Sequence, residues 1–129
     1  NITIHAGEGD GVSSIIDALN NGAMRIGHGV RIIEDINDGI IGPTASKIID
    51  LQIPLEICIT SNIHTNMYKS YEAHPISSLI DYGFNVYLNT DNRLMSNTSI
   101  SKEIEIAKNL GISDVDRLLK YSASDSFFD

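Results

Sequence analysis

Ile2-Thr3-Ile4-His5-Ala6-Gly7-Glu8-Gly9-Asp10-Gly11-Val12 lies one residue from the start of the chain and changes character twice along its length. Ile2–His5 is β-branched and apolar, which suits a short strand better than a helix of that length. Gly7, Gly9 and Gly11 then open a polar loop that holds Glu8 and Asp10. Beyond it Val12, Ile15, Ile16 and Leu19 recur at i, i+3, i+4 and i+7, the apolar stripe of an amphipathic helix, with Ser13 as the expected N-cap. A strand that feeds a helix through a short loop is the beginning of a βαβ unit, and such units build parallel sheets.

The same alternation continues outward from this stretch. Met24–His28, Leu55–Ile59 and Phe84–Leu88 read as further strands bounded by Gly, Asn and Pro. Between them a helix is expected over Thr44–Leu51 behind Pro43, and another begins at Pro75, carries Ile76, Leu79 and Ile80, and stops at Gly83. Two helices follow the last strand, Ser101–Leu110 ended by Gly111, and Ser113–Tyr121 with Ser113 and Asp116 spaced as a capping box. No linker, repeat or low-complexity tract interrupts the pattern. The expectation is an α/β domain over 1–129 with four parallel strands and flanking helices.

Composition narrows the function classes. The chain has 129 residues, 42% of them hydrophobic, which is enough for one modest core. Its 9 Lys+Arg against 17 Asp+Glu give a formal net charge of −8, the opposite of a phosphate-binding footprint, so no nucleic-acid partner is expected. No apolar run approaches the roughly 20 residues of a membrane helix, and no leader precedes the first strand, so neither membrane nor secretion is expected. Cys58 is the only cysteine and reads as a small buried hydrophobe within the third strand; a lone thiol suits a reducing cytoplasm. A start at Asn1, running straight into a strand, reads as part of a longer chain.

In parallel α/β folds the loops at the carboxyl ends of the strands carry the chemistry. Here those ends read His5-Ala6-Gly7-Glu8, Gly27-His28-Gly29, Thr60-Ser61-Asn62 and Asn89-Thr90-Asp91-Asn92. Two histidines, a glutamate and an aspartate gathered at one sheet end are an inventory for zinc and acid/base catalysis. Taken singly each has a blander reading: Glu8 as a solvated acid, Asp91 as an Asx-turn residue. Gly7 and Gly9 keep the loop around His5 open, and Gly27 and Gly29 leave no bulky neighbour to bury His28. His64 and His74 read as ordinary surface or capping residues. The Gly7-x-Gly9-x-Gly11 spacing invites a phosphate-loop reading, which the acidic Glu8 and Asp10 and the lack of a following Lys oppose.

The ordered set Thr3-Ile4-His5-Ala6-Gly7-Glu8, Arg25-Ile26-Gly27-His28-Gly29, Thr60-Ser61-Asn62 and Asn89-Thr90-Asp91 resembles the C-terminal half of the adenosine deaminase family, over essentially the whole chain. That resemblance implies the second half of a TIM (β/α)8 barrel, its strands the fifth to eighth. It implies zinc held by His5 and Asp91, Glu8 as the acid that protonates purine N1, and His28 orienting the attacking water and stabilising it as hydroxide at C6. Asn92 stands where many members have a second aspartate that meets purine N7, and its amide NH₂ preserves a donor there. A bacterial subgroup with Asn-Arg at this point is similar, and Asn92-Arg93 agrees with it. The family's His-x-His pair, which supplies two further zinc ligands, is absent from these 129 residues.

The implied function is zinc-dependent hydrolysis of adenosine to inosine and ammonia, a cytoplasmic step of purine salvage whose activity belongs to a longer parent. The expected partner is a small purine nucleoside. Adenine or AMP as substrate uses the same chemistry. A different class of function is also open: a non-catalytic half-barrel that self-associates through its exposed strand edges.

Overall fold

A computed structural model describes residues 2–119. Four parallel strands, β1 (Thr3–Ala6), β2 (Arg25–His28), β5 (Leu55–Ile57) and β6 (Val86–Leu88), form one sheet in the order β1-β2-β5-β6. Helices α1 (Val12–Asn20), α2 (Pro43–Asp50) and α4 (Ile76–Asp81) make the crossovers, and α5 (Arg93–Ser96), α6 (Ile100–Asn109) and α7 (Val115–Leu119) follow the last strand. The α/β class and the strand identities are as the sequence implies. The helix expected through Tyr121 is described only to Leu119, since residues 120–129 lie outside the described part.

The register divides the sheet into two unlike faces. Thr3 pairs with Arg25, His5 with Gly27, Gly27 with Glu56, and Glu56 with Tyr87, so these side chains share one face. Ile4, Ile26, Leu55, Ile57, Val86 and Leu88 alternate with them on the other. That second face packs against the helices, where Ile15, Ile26, Ile48, Leu55, Ile57 and Leu79 are all fully buried. Each such side chain contributes about 1.5–3 kcal/mol by leaving water, so this single helix-covered face dominates the stability. The first face is polar and carries His5.

Several local expectations are corrected. The third strand ends at Ile57; Cys58 is the N-cap of a short helix, α3 (Ile59–His64), and stays buried at the junction rather than inside the strand. Ser13 does not cap α1. Gly11 is the N-cap residue, and Ser14 ties the loop down by accepting from Gly7 N (2.8 Å) and donating to the Gly11 carbonyl (2.8 Å). Pro75 is the cap residue of α4 rather than its first turn. Ser113 does not close the last helix's capping box: Asp114 Oδ1 accepts from Arg117 N at 3.2 Å. A small antiparallel ribbon, β3 (Ile36–Asn37) with β4 (Ile40–Ile41), is joined by Asp38 and Gly39 at φ +50° and +78°. Positive φ at both turn residues is what a two-residue hairpin with a type I′ turn requires.

One buried acid fixes the element that carries Thr60, Ser61 and Asn62. Glu103 of α6 is fully buried, accepts from the Thr98 hydroxyl at 2.8 Å, and accepts from the Thr60 backbone N–H at 3.2 Å. Replacing Glu103 by alanine strands both donors and leaves a cavity. The expected loss is about 2–4 kcal/mol of unfolding free energy, read by urea denaturation, with Glu103→Gln losing less.

Candidate active site

The site lies where β1, β2, β5 and β6 end. β1 delivers His5 and, one loop further on, Glu8; β2 delivers His28; α3 brings Ser61 and Asn62; the turn after β6 brings Asp91 and Asn92. The flanking glycines do not leave His28 open as expected: it is 2% exposed, covered by the His5 ring and Asn62, whereas His5 and Asp91 face the open side of the sheet. The rings of His5 and His28 meet edge to face, with centroids 5.1 Å apart. His28 Nε2 lies 3.5 Å from Glu8 Oε2. Burial pulls the His28 pKa below its usual value, outweighing the nearby carboxylates of Glu8 and Asp91, which push it up.

Backbone geometry sets these positions. His28 and Asp91 both sit in the left-handed region, at φ +63° and +55°. Non-glycine residues take that conformation only where surrounding contacts hold them, and such positions concentrate at functional sites. Gly27 is required for a different reason. A Cβ built there would lie 2.5 Å from His5 Cδ2 and 2.9 Å from His5 Nε2, so the imidazole of His5 rests on bare backbone. Gly27→Ala is therefore expected to push the ring off its seat while leaving the sheet intact. The displacement should be read in the chemical shifts of the His5 imidazole, with an unchanged circular dichroism spectrum.

Asp91 is held by Ser61, whose hydroxyl donates to Asp91 Oδ2 at 2.8 Å. This leaves Oδ1 as the carboxylate oxygen aimed elsewhere. Asn92 caps α5: its Oδ1 accepts from Leu94 N and Met95 N, both at 3.1 Å, and its Nδ2 is the donor end of the amide. The loop bearing Glu8 is steadied from outside, because Arg31 donates from Nη1 to the Gly9 carbonyl at 2.8 Å while its Nε engages Glu34 at 2.6 Å. On the far side of Glu8 a cleft of about 360 Å³ opens between Arg31, Met67 and Tyr68.

Two residues carry more than the sequence suggests. Asn62 is fully buried, with Nδ2 3.4 Å from both Glu8 Oε1 and His28 Nδ1. His74, expected at the surface or at a cap, is buried; the capping part stands, because its Nδ1 accepts from Ile76 N at 3.2 Å. His64 is exposed, as expected. Among the described residues, no group of three His, Cys, Asp or Glu is placed to hold a metal ion. On the open side of the sheet His5 offers an imidazole and Asp91 a carboxylate, both of the types zinc takes, and two such groups are fewer than the three protein ligands of a catalytic centre.

The chain matches the family model for adenosine deaminase over residues 1–129. It is 52% identical over 109 residues to adenosine deaminase 1 of Streptomyces coelicolor, a stretch that is 80% of this chain and 28% of that protein. The adenine deaminase of Arthrobacter aurescens has the same fold at TM-score 0.88 and 27% identity, covering 98% of this chain and 38% of that one. The N6-methyl-AMP deaminase of Arabidopsis thaliana follows at TM-score 0.78 and 29% identity, covering 100% and 37%. A parallel α/β sheet with the fold of solved deaminases defines the class. Within that class, the chain belongs to the adenosine deaminase family.

Proposed function

We propose that the chain forms the second half of a (β/α)8 barrel and one side of a zinc-dependent site that hydrolyses adenosine to inosine and ammonia. The observation that carries this reading is the convergence of Glu8, His28, Asn62 and a Ser61-held Asp91 at one end of a parallel sheet. His5 and Asp91 are the residues that would hold zinc. The remaining ligands come from the other half of the barrel, so turnover belongs to the complete barrel and not to this chain alone. Zinc, when bound, supplies a water whose pKa is lowered to about 7.

The chain's own residues do the rest. Glu8 delivers a proton to purine N1, which drains electron density from C6 and opens that carbon to attack. Asn92 donates its amide N–H to N7 and holds the ring in plane. His28 lies against Glu8 on the reacting side and steadies charge that develops on the attacking oxygen. Water adds at C6 and gives up two protons, one restoring Glu8 and one passing to the exocyclic nitrogen; the C6–N bond breaks and that nitrogen leaves as ammonia, with C6 left as a carbonyl. A lone buried thiol, Cys58, suits a cytoplasmic setting in purine salvage.

Release of ammonia from adenosine, adenine and AMP, and of methylamine from N6-methyl-AMP, by the complete barrel tests this with the four offered in turn. Adenosine is expected to give the highest kcat/KM, because among the described residues no cluster of cations flanks the site to receive a phosphate. AMP preferred over adenosine would move the substrate to the nucleotide, and no release from any of the four would reject the deaminase reading. A second reading, a half-barrel assembly module, is favoured by the unpaired edges of β1 and β6 among the described residues. A monomer in sedimentation of this chain alone would remove it. Among the described residues no helix is long and apolar enough to cross a membrane.

A further inference from the structure

We infer that His74 is a positioning residue, which fixes through Asn62 the hydrogen-bond polarity of His28 and Glu8. This rests on the deaminase reading for its kinetic consequence, but not for its geometry. Ile76 N–H can only donate, so His74 Nδ1, 3.2 Å away, must be the bare nitrogen. The His74 proton therefore sits on Nε2, which lies 3.2 Å from Asn62 Oδ1 and donates to it. That contact decides which way round the amide stands, because the flipped form would set NH₂ against N–H. Asn62 Nδ2 then points at the site, 3.4 Å from His28 Nδ1 and 3.4 Å from Glu8 Oε1.

Facing a donor, His28 Nδ1 must be an acceptor, and the His28 proton lies on Nε2, 3.5 Å from Glu8 Oε2. The signal runs in one direction from the backbone of α4 to the reacting side of the sheet. His74 and Asn62 are both buried, so no bulk water competes for these contacts. Burial also holds the His74 pKa down at about 4, keeping the ring neutral with one donor and one acceptor nitrogen. Tyr68 packs edge-on against the His74 ring with centroids 5.1 Å apart and restrains it from turning over. With its proton on Nε2, His28 presents a donor to the reacting side: it stabilises an oxygen anion and cannot accept a proton from water at that nitrogen.

Nitrogen-15 spectroscopy of the histidine rings in the complete barrel tests this without any substitution. Both His74 and His28 should show the Nε2–H tautomer; Nδ1–H at either one overturns the relay. Substitution adds a kinetic readout. His74→Gln can accept from Ile76 N and donate to Asn62, and should keep kcat within about threefold. His74→Glu offers only acceptors, turns the Asn62 amide over, and should switch His28 to Nδ1–H. It should also lower kcat by about 10- to 100-fold with KM within about twofold, the size of loss seen when a partner that orients a site residue is removed. Equal kcat for the two variants in an active enzyme would overturn the positioning role. Tautomers that follow residue 74 in a protein with no deaminase activity would keep the relay and reject the deaminase reading instead.

Discussion

Glu8→Gln in the complete barrel is expected to lower kcat for adenosine by about 10²- to 10⁴-fold, the range that positioned acid catalysis supplies. Metal content should not change. Glutamine has the size and shape of glutamate, so the loop between Gly7 and Gly11 keeps its ties to Ser14 and Arg31. Its Oε1 can still accept from Asn62 Nδ2, which sits 3.4 Å from the native carboxylate. What it lacks is a transferable proton, and without protonation at N1 the purine C6 is a poor electrophile. KM should move little, because an amide still donates a hydrogen bond to a ring nitrogen. Steady-state ammonia release alongside metal analysis separates the two effects. A rate near wild type would take the acid role away from Glu8; lost metal would make Glu8 a ligand.

Asp91→Ala is expected to abolish both turnover and tight zinc binding. Partners that merely orient a metal ligand typically cost about 10- to 100-fold in affinity, so removing a ligand should exceed about 100-fold. Fold stability should survive, since Asp91 is exposed and, among the described residues, its close side-chain partner is the Ser61 hydroxyl. Ser61→Ala offers the graded comparison: it leaves the carboxylate in place but frees Oδ2 to turn. Zinc retention by Asp91→Ala at wild-type affinity would show that the aspartate acts on substrate or water rather than on metal.

The strands are legible because each is a β-branched or apolar run stopped by Gly, Asn or Pro, and His5, Glu8, His28 and Asp91 stand out as the polar residues at their ends. The third strand misled because its apolar run does not stop where the strand does. Leu55–Ile59 is continuous in hydrophobicity, yet the chain turns helical at Ile59, and a helix as short as Ile59–His64 has no stripe to betray it. The hairpin at Asp38-Gly39 is not among the expected elements, although an Asp-Gly pair between short apolar runs is its usual signal. Caps were misplaced at Ser13 and Ser113 because neighbouring residues, Ser14 and Asp114, had better geometry for the same loops. Asn62 could not be singled out, since its partners Glu8 and His28 are far away in sequence and only the parallel crossovers bring them together. His74 carried one usable cue: it precedes Pro75 and the start of α4, where a side chain that accepts from the first free N–H is wanted.

The most direct test of the account is a zinc titration of the metal-stripped complete barrel with adenosine turnover followed at each point. The account predicts no turnover without metal, a linear rise that breaks at one equivalent per barrel, and no rise in Asp91→Ala. Full turnover in the stripped protein, or activation by zinc that is indifferent to Asp91, would contradict it.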